Sequence, residues 1–115
     1  MLPGYSVYCG VTITVPATAA KLIDLVTAAM AAGKNDVPPL GAAREVLIQA
    51  DSANTNLVIY VGDSFVSASP QRAGLGLIAT QTRNYRAGML DMVLTGRIYV
   101  VESTGAAKLN VELMS

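Results

Sequence analysis

Histidine is absent from the 115 residues, and so is tryptophan. Without an imidazole, the Ser-His-Asp and Cys-His nucleophile arrangements are excluded, and the commonest metal ligand and general base is missing. A single cysteine, Cys9, rules out an intrachain disulfide and a cysteine-based metal site. It sits in an apolar run and reads as a small buried hydrophobe. Charge is scarce as well: charged residues make up 14% of the chain, against about 25% in an ordinary globular domain. Eight basic residues balance eight acidic ones, which leaves no electrostatic footprint for nucleic acid or an anionic membrane. No apolar run approaches the length that spans a bilayer. Met1 to Ser6 carries no basic segment, so the run Val7–Val15 is not expected to act as a signal peptide, and the chain is expected to be soluble and made in a cytoplasm.

What is present is apolar: 52% of the residues are hydrophobic and the mean hydropathy is +0.45. The length fits one domain, residues 1–115, around one core. A small domain this apolar is expected to bury part of its surface against a partner. The plainer alternative is that many of these residues are alanines, which are tolerated on a surface.

Residues Val46–Ala50 and Leu57–Val61 are β-type runs separated by a polar turn, with Phe65–Ala68 following Gly62-Asp63. Together they read as a β-meander with a second reversal at Gly62-Asp63. Upstream, Val7, Cys9, Val11, Ile13 and Val15 alternate with Tyr8, Gly10, Thr12 and Thr14, the pattern of a half-buried strand ended by Pro16. Ala17 or Thr18 is expected to cap a helix through about Ala32, with Leu22, Val26, Ala29 and Met30 on its apolar face and Lys21, Asp24 and Thr27 opposite. Gly33 and Lys34 suit its C-terminus. Without a cationic face, it is read as a lid on the core.

Asn35–Ala43 and Pro70–Gly74 read as loops, Leu75–Thr80 as a strand, and Gln81–Gly88 as an exposed polar connection. Met89–Leu94 fits a strand or one turn of helix. Thr95-Gly96 turns the chain into a strand over Arg97–Val101, and Thr104-Gly105-Ala106 reads as a hairpin loop. Lys108–Leu113 then places Leu109, Val111 and Leu113 inward. The expected fold is mainly β with one N-terminal helix, a β-sandwich or jelly-roll-like single domain.

Catalytic candidates are restricted to carboxylates: Glu45, Asp51, Asp63, Asp91, Glu102 and Glu112. Most flank turns or face solvent by alternation, so no catalytic pair is assigned and no enzyme activity is expected. Asp51, Asn54, Asn56 and Asp63 are oxygen ligands of a type that suits calcium. Their spacing does not match an EF-hand, and Asx side chains at turns bond their own backbone, so neither a metal nor a cofactor is assigned. Tyr8, Tyr60 and Tyr99 fall in strand-like runs and read as core or core edge. Tyr85 stands between Arg83 and Arg86 in the polar stretch and is either a contact anchor or a solvent-exposed loop tip.

From Val46 onward, the order of features resembles small virion proteins of tailed bacteriophages. The resemblance is carried by Ile48-Gln49-Ala50, Asn54-Thr55-Asn56, Ile59-Tyr60-Val61-Gly62-Asp63, Ala73-Gly74-Leu75-Gly76-Leu77, Ile98-Tyr99-Val100 and Leu109-Asn110-Val111. The Arg- and Asn-rich Gln81–Gly88 and the apolar Met89–Leu94 depart from that pattern. The resemblance implies a non-enzymatic structural protein located in the virion, a capsid decoration or cement subunit that staples coat subunits together. A tail, baseplate or head-fibre binding module is the alternative. Implied partners are the major capsid protein or other virion proteins and further copies of the chain, a trimer favoured; neither nucleic acid nor membrane is expected as a partner. Contacts are expected from the loops and the start of the chain, at Leu2, Tyr5, Val37, Leu40, Gln71, Arg72, Arg83, Tyr85 and Arg86.

Overall fold

The computed structural model describes residues 7–32, 42–68, 71–86, 93–94 and 97–114. Strand β1 (Val7–Thr14) leads through the short strand β2 (Ala20–Lys21) into helix α1 (Leu22–Ala32). Strands β3 (Ala42–Ala43), β4 (Glu45–Ala50), β5 (Ile59–Ala68), β6 (Gln71–Leu77) and β7 (Thr82–Arg86) follow. The described chain closes with β8 (Val93–Leu94), β9 (Tyr99–Val101) and β10 (Lys108–Met114).

Two four-stranded sheets form, in the orders β1-β10-β4-β7 and β2-β9-β5-β6, and β3 pairs with β8 in a small ribbon. All of these pairings are antiparallel. The described residues are thus mainly β with one helix, arranged as a β-sandwich. The register of the first sheet explains its core. Ile13, Leu109 and Ala50 align across β1, β10 and β4, and Val111 aligns with Ile48. All five side chains are buried in one cluster with Val61 and Val100 of the second sheet. Inward Leu109, Val111 and Leu113 on β10 follow the alternation expected from the sequence.

Helix α1 starts later than Ala17 or Thr18. Ala20 and Lys21 pair with Val100 and Tyr99 instead, and the Leu22 N–H donates to the Ile98 carbonyl at 2.8 Å. Sheet pairing satisfies these backbone groups as a first helical turn would have done. The expected stripe holds: Leu22, Val26 and Met30 are buried and Ala29 is packed against the core. The helix lies on β1 and β2, so it covers that side of the sandwich. Gly33 and Lys34 fall outside the described residues.

Several other expectations change. Strands β4 and β5 belong to different sheets, so the stretch between them crosses the sandwich and is no meander turn. Gly62-Asp63 does not reverse the chain, because β5 runs on to Ala68. Its register with β6 slips between Gly62↔Gly74 and Ser67↔Arg72, so Asp63 to Val66 stand against Ala73 alone, a wide bulge. The Asp63 carboxylate accepts from the Phe65 N–H at 2.8 Å and holds this kink. Gln71–Gly74, expected as loop, is the first half of β6, which ends at Leu77 before a turn at Ala79-Thr80. Gln81–Gly88 is no loose connection, since Thr82–Arg86 is β7 and pairs with β4. Thr104–Ala106 links β9 to β10 in the opposite sheet and is no hairpin loop. Arg97 and Ile98 precede β9, which begins at Tyr99.

Ala42–Ala43, expected in a loop, pairs with Val93–Leu94. Residues 35–41, 89–92 and 95–96 fall outside the described residues, as do the side chains of Tyr8 and Cys9. Tyr60 and Tyr99 are half-buried, at the edge of the core as expected.

Candidate functional site

One flank of the sandwich is covered by α1, and the other is bounded by the edge strands β6 and β7. Between those two edges lies a cleft of about 480 Å³. Val61 and Gly62 of β5 and Gly74 and Leu75 of β6 form one wall, and Arg83 and Tyr85 of β7 form the other, with Arg97 and Ile98 completing it. The register shows why β7 supplies these two residues. Arg83 stands opposite Ile48 and Tyr85 opposite Val46, and both partners are fully buried. Side chains opposite each other in an antiparallel pair share a face, so Arg83 and Tyr85 belong to the inner face, where Tyr85 packs against the core. Tyr85 is therefore neither a loop tip nor a freely exposed anchor.

The cleft is cationic. Among the described residues it is lined by two arginines and by no acidic residue, and neither Arg83 nor Arg97 has an ion-pair partner among them. Arg86, three positions beyond Arg83 on the same strand, shares the outer face with Glu45. Their side chains meet at 3.4 Å, with that of Arg86 largely exposed and that of Glu45 buried.

Apolar exposure adjoins this flank. Phe65 on the β5 bulge is 78% exposed, Leu75 on β6 60%, and Ile78 just beyond β6 53%. Val66 turns the other way and is buried. It packs so closely beneath Gly74 that a Cβ there would collide with Val66 Cγ2.

Of the expected contact residues, the structure brings Arg83 and Tyr85 together in the cleft and places Arg86 on the outer face. Gln71 and Arg72 lie on β6, paired with Ala68 and Ser67, and their side chains fall outside the described residues. Leu2, Tyr5, Val37 and Leu40 also fall outside them. Nothing in the local sequence marks Leu75, Ile78 or Arg97 as exposed. Phe65 had a readable signal: an aromatic directly after Gly62-Asp63-Ser64 is a poor fit for an uninterrupted buried strand.

The carboxylates are not all solvated. Glu45 and Glu102 are buried, at 5% and 1% exposure. The Glu102 carboxylate accepts from the Thr104 hydroxyl at 2.5 Å, the Thr104 N–H at 2.7 Å, and the Ala106 and Ala107 N–H groups at 3.1 Å each. Burial alone raises its pKa, but the Thr104 hydroxyl and these three N–H groups outweigh that and hold it at about 2, against an ordinary 4.5. An acid so held is a turn organiser and no proton donor near neutrality. Asp91 falls outside the described residues.

The oxygen ligands between Asp51 and Asp63 have other partners. Asp51 accepts from the Ala53 N–H at 2.9 Å and from the Asn110 amide at 3.2 Å, and Asn54 engages the main chain of Lys108. Asn56 adopts φ 61° in the turn, and Asp63 holds the β5 bulge. No three metal-ligating His, Cys, Asp or Glu side chains gather among the described residues. No described helix is long and apolar enough to cross a membrane.

Compared with protein-family models, curated proteins and solved structures, the chain matches none.

Proposed function

We propose that the protein is a non-enzymatic structural subunit of a phage particle, a capsid decoration or cement protein that binds coat subunits in the assembled shell. The observation that carries this reading is the exposure of Phe65, Leu75 and Ile78 along β5, β6 and the turn that follows. In a chain with 14% charged residues, large apolar side chains left in water favour association. Many copies, each burying a modest area across a subunit boundary, strengthen a shell without any single strong contact. The buried Glu102 adds support, because it is committed to organising its turn.

The test is native mass spectrometry of the purified chain, followed by mixing with undecorated phage shells. A stable oligomer, a trimer being expected, that coats shells and raises their disruption temperature supports the proposal, because binding only the assembled state stabilises it by mass action. A monomer that ignores shells overturns it. The second reading, a tail, baseplate or head-fibre module, is favoured by the outward aromatic Phe65, a residue type that serves as an interface anchor. It predicts binding to a tail or fibre component with no effect on shells.

A further inference from the structure

We propose that the cleft between β6 and β7 takes an extended, carboxylate-bearing segment of a partner protein, with an acidic side chain of that segment bound by Arg83 and Arg97. This inference does not rest on the phage reading, since it concerns only the chemistry of what the cleft binds.

Charge complementarity identifies the occupant. Arg83 continues a row that is otherwise apolar, Val11, Val111 and Ile48 across β1, β10 and β4. A guanidinium at the end of such a row is partly withdrawn from water, and Arg83 is half-buried. Arg97 lines the same cleft. Two cations in one cleft repel each other, and among the described residues no carboxylate offsets them. Arginine presents a planar fork of donors that matches a carboxylate, and the resulting bonds strengthen where water is partly excluded.

The walls add selectivity for an extended chain over a free anion. Val61, Leu75 and Ile98 offer apolar contact beside the two arginines. Glycines at Gly62 and Gly74 keep the β5–β6 wall low where the two residues pair. Among the described strands, β7 pairs only with β4, so its outer edge is placed to pair with an incoming strand. Strand addition draws affinity from the main chain and specificity from alternate side chains, one set acidic and apolar here.

The test uses the full chain, isotope-labelled for amide NMR, and a short blocked peptide alternating valine with glutamate; the control peptide carries glutamine in place of glutamate. The glutamate peptide is expected to shift the amides of Leu75, Arg83, Tyr85 and Ile98, and to bind at least about tenfold more tightly than the control, since charge-assisted bonds are roughly twice as strong as neutral ones. R97Q, at an exposed position, is expected to weaken binding several-fold, and R83K, which keeps the charge but loses the fork, to weaken it less than R83Q. Equal affinity for the two peptides, no binding of either, or shifts confined to other surfaces overturns the proposal. So does peptide binding that appears only in D91N, which would make the chain's own acid the occupant. Concentration-dependent shifts of these amides without peptide, or full reproduction of them by inorganic phosphate, would replace the partner segment by a second copy or a simple anion.

Discussion

The side-chain amide of Asn54 makes both hydrogen bonds that a neighbouring strand would make to Lys108. Its Nδ2 donates to the Lys108 carbonyl at 2.7 Å, and its Oδ1 accepts from the Lys108 N–H at 2.9 Å. Asn54 is 3% exposed, so a turn residue extends the sheet past the end of β4 and fixes where β10 begins. Asn54→Ala removes both bonds. The Lys108 carbonyl keeps the Asp51 N–H, at 3.1 Å, but the Lys108 N–H is left without an acceptor. The expected loss is about 2 kcal/mol in urea unfolding, the range for a buried polar group stripped of its partner. A loss below about 0.5 kcal/mol would show that water replaces the amide.

Glu102 makes stability depend on acid. Its folded pKa lies below its ordinary value, so between those two values the unfolded chain binds more protons and stability rises with pH. The contribution is fully present above about pH 5 and is lost as pH falls toward about 2, amounting to about 3 kcal/mol at most for a shift of this size. In Glu102→Gln, an amide NH₂ in place of Oε2 faces the Thr104 N–H, and an orphaned donor pair replaces a bond. Urea titrations across acidic pH should show lower stability for the variant near neutrality and a flatter acid limb. Parallel curves for the two proteins would contradict this account.

Gly74 and Val66 are predicted to be coupled. A Cβ at Gly74 meets Val66 Cγ2 and comes within 3.1 Å of the Val61 carbonyl. Gly74→Ala is expected to lose about 1–3 kcal/mol, as overpacked sites do. Val66→Ala vacates part of that space, so the double variant should lose less than the sum of the singles. A double-mutant cycle measures this directly, and strict additivity would mean that the two side chains do not compete.

Phe65→Ser separates folding from association. With its ring 78% exposed, Phe65 contributes little to the core, and the stability change should stay within about 0.5 kcal/mol. Shell attachment or self-association, read by sedimentation, should fall several-fold. An unchanged sedimentation profile would remove Phe65 from any interface.

What the sequence made legible followed from one-sided burial. Strand β10 alternates cleanly because one face is apolar and the other is Lys108, Asn110 and Glu112. The stripe of α1 was equally readable. Strand β7 hid itself because its inner positions at the sandwich edge are Arg83 and Tyr85, so alternation of polarity gave no signal. The β5 bulge looked like a reversal because Gly62-Asp63 has turn chemistry, although only tertiary pairing decides whether such a pair turns a strand or kinks it. The sheet to which each strand belongs was not readable either, since a polar connection serves a hairpin or a crossing equally well. For the site, Arg83 and Tyr85 fall in a stretch that reads as an exposed polar connection, whereas they lie on the inner face of a paired strand. Arg97 and Leu75 escaped notice because nothing local marks a position as lying at an edge.

The placement of β10 between β1 and β4 has a kinetic consequence. The first and last described strands are hydrogen-bonded neighbours, and the later of the two is an interior strand. Until it arrives, β1 and β4 each expose an inner edge, and the apolar residues on both lie uncovered. Such long-range pairing makes folding slow and late. The nascent chain therefore needs protection from aggregation until synthesis has passed Met114, and a stall within β10 leaves a product that cannot close its first sheet.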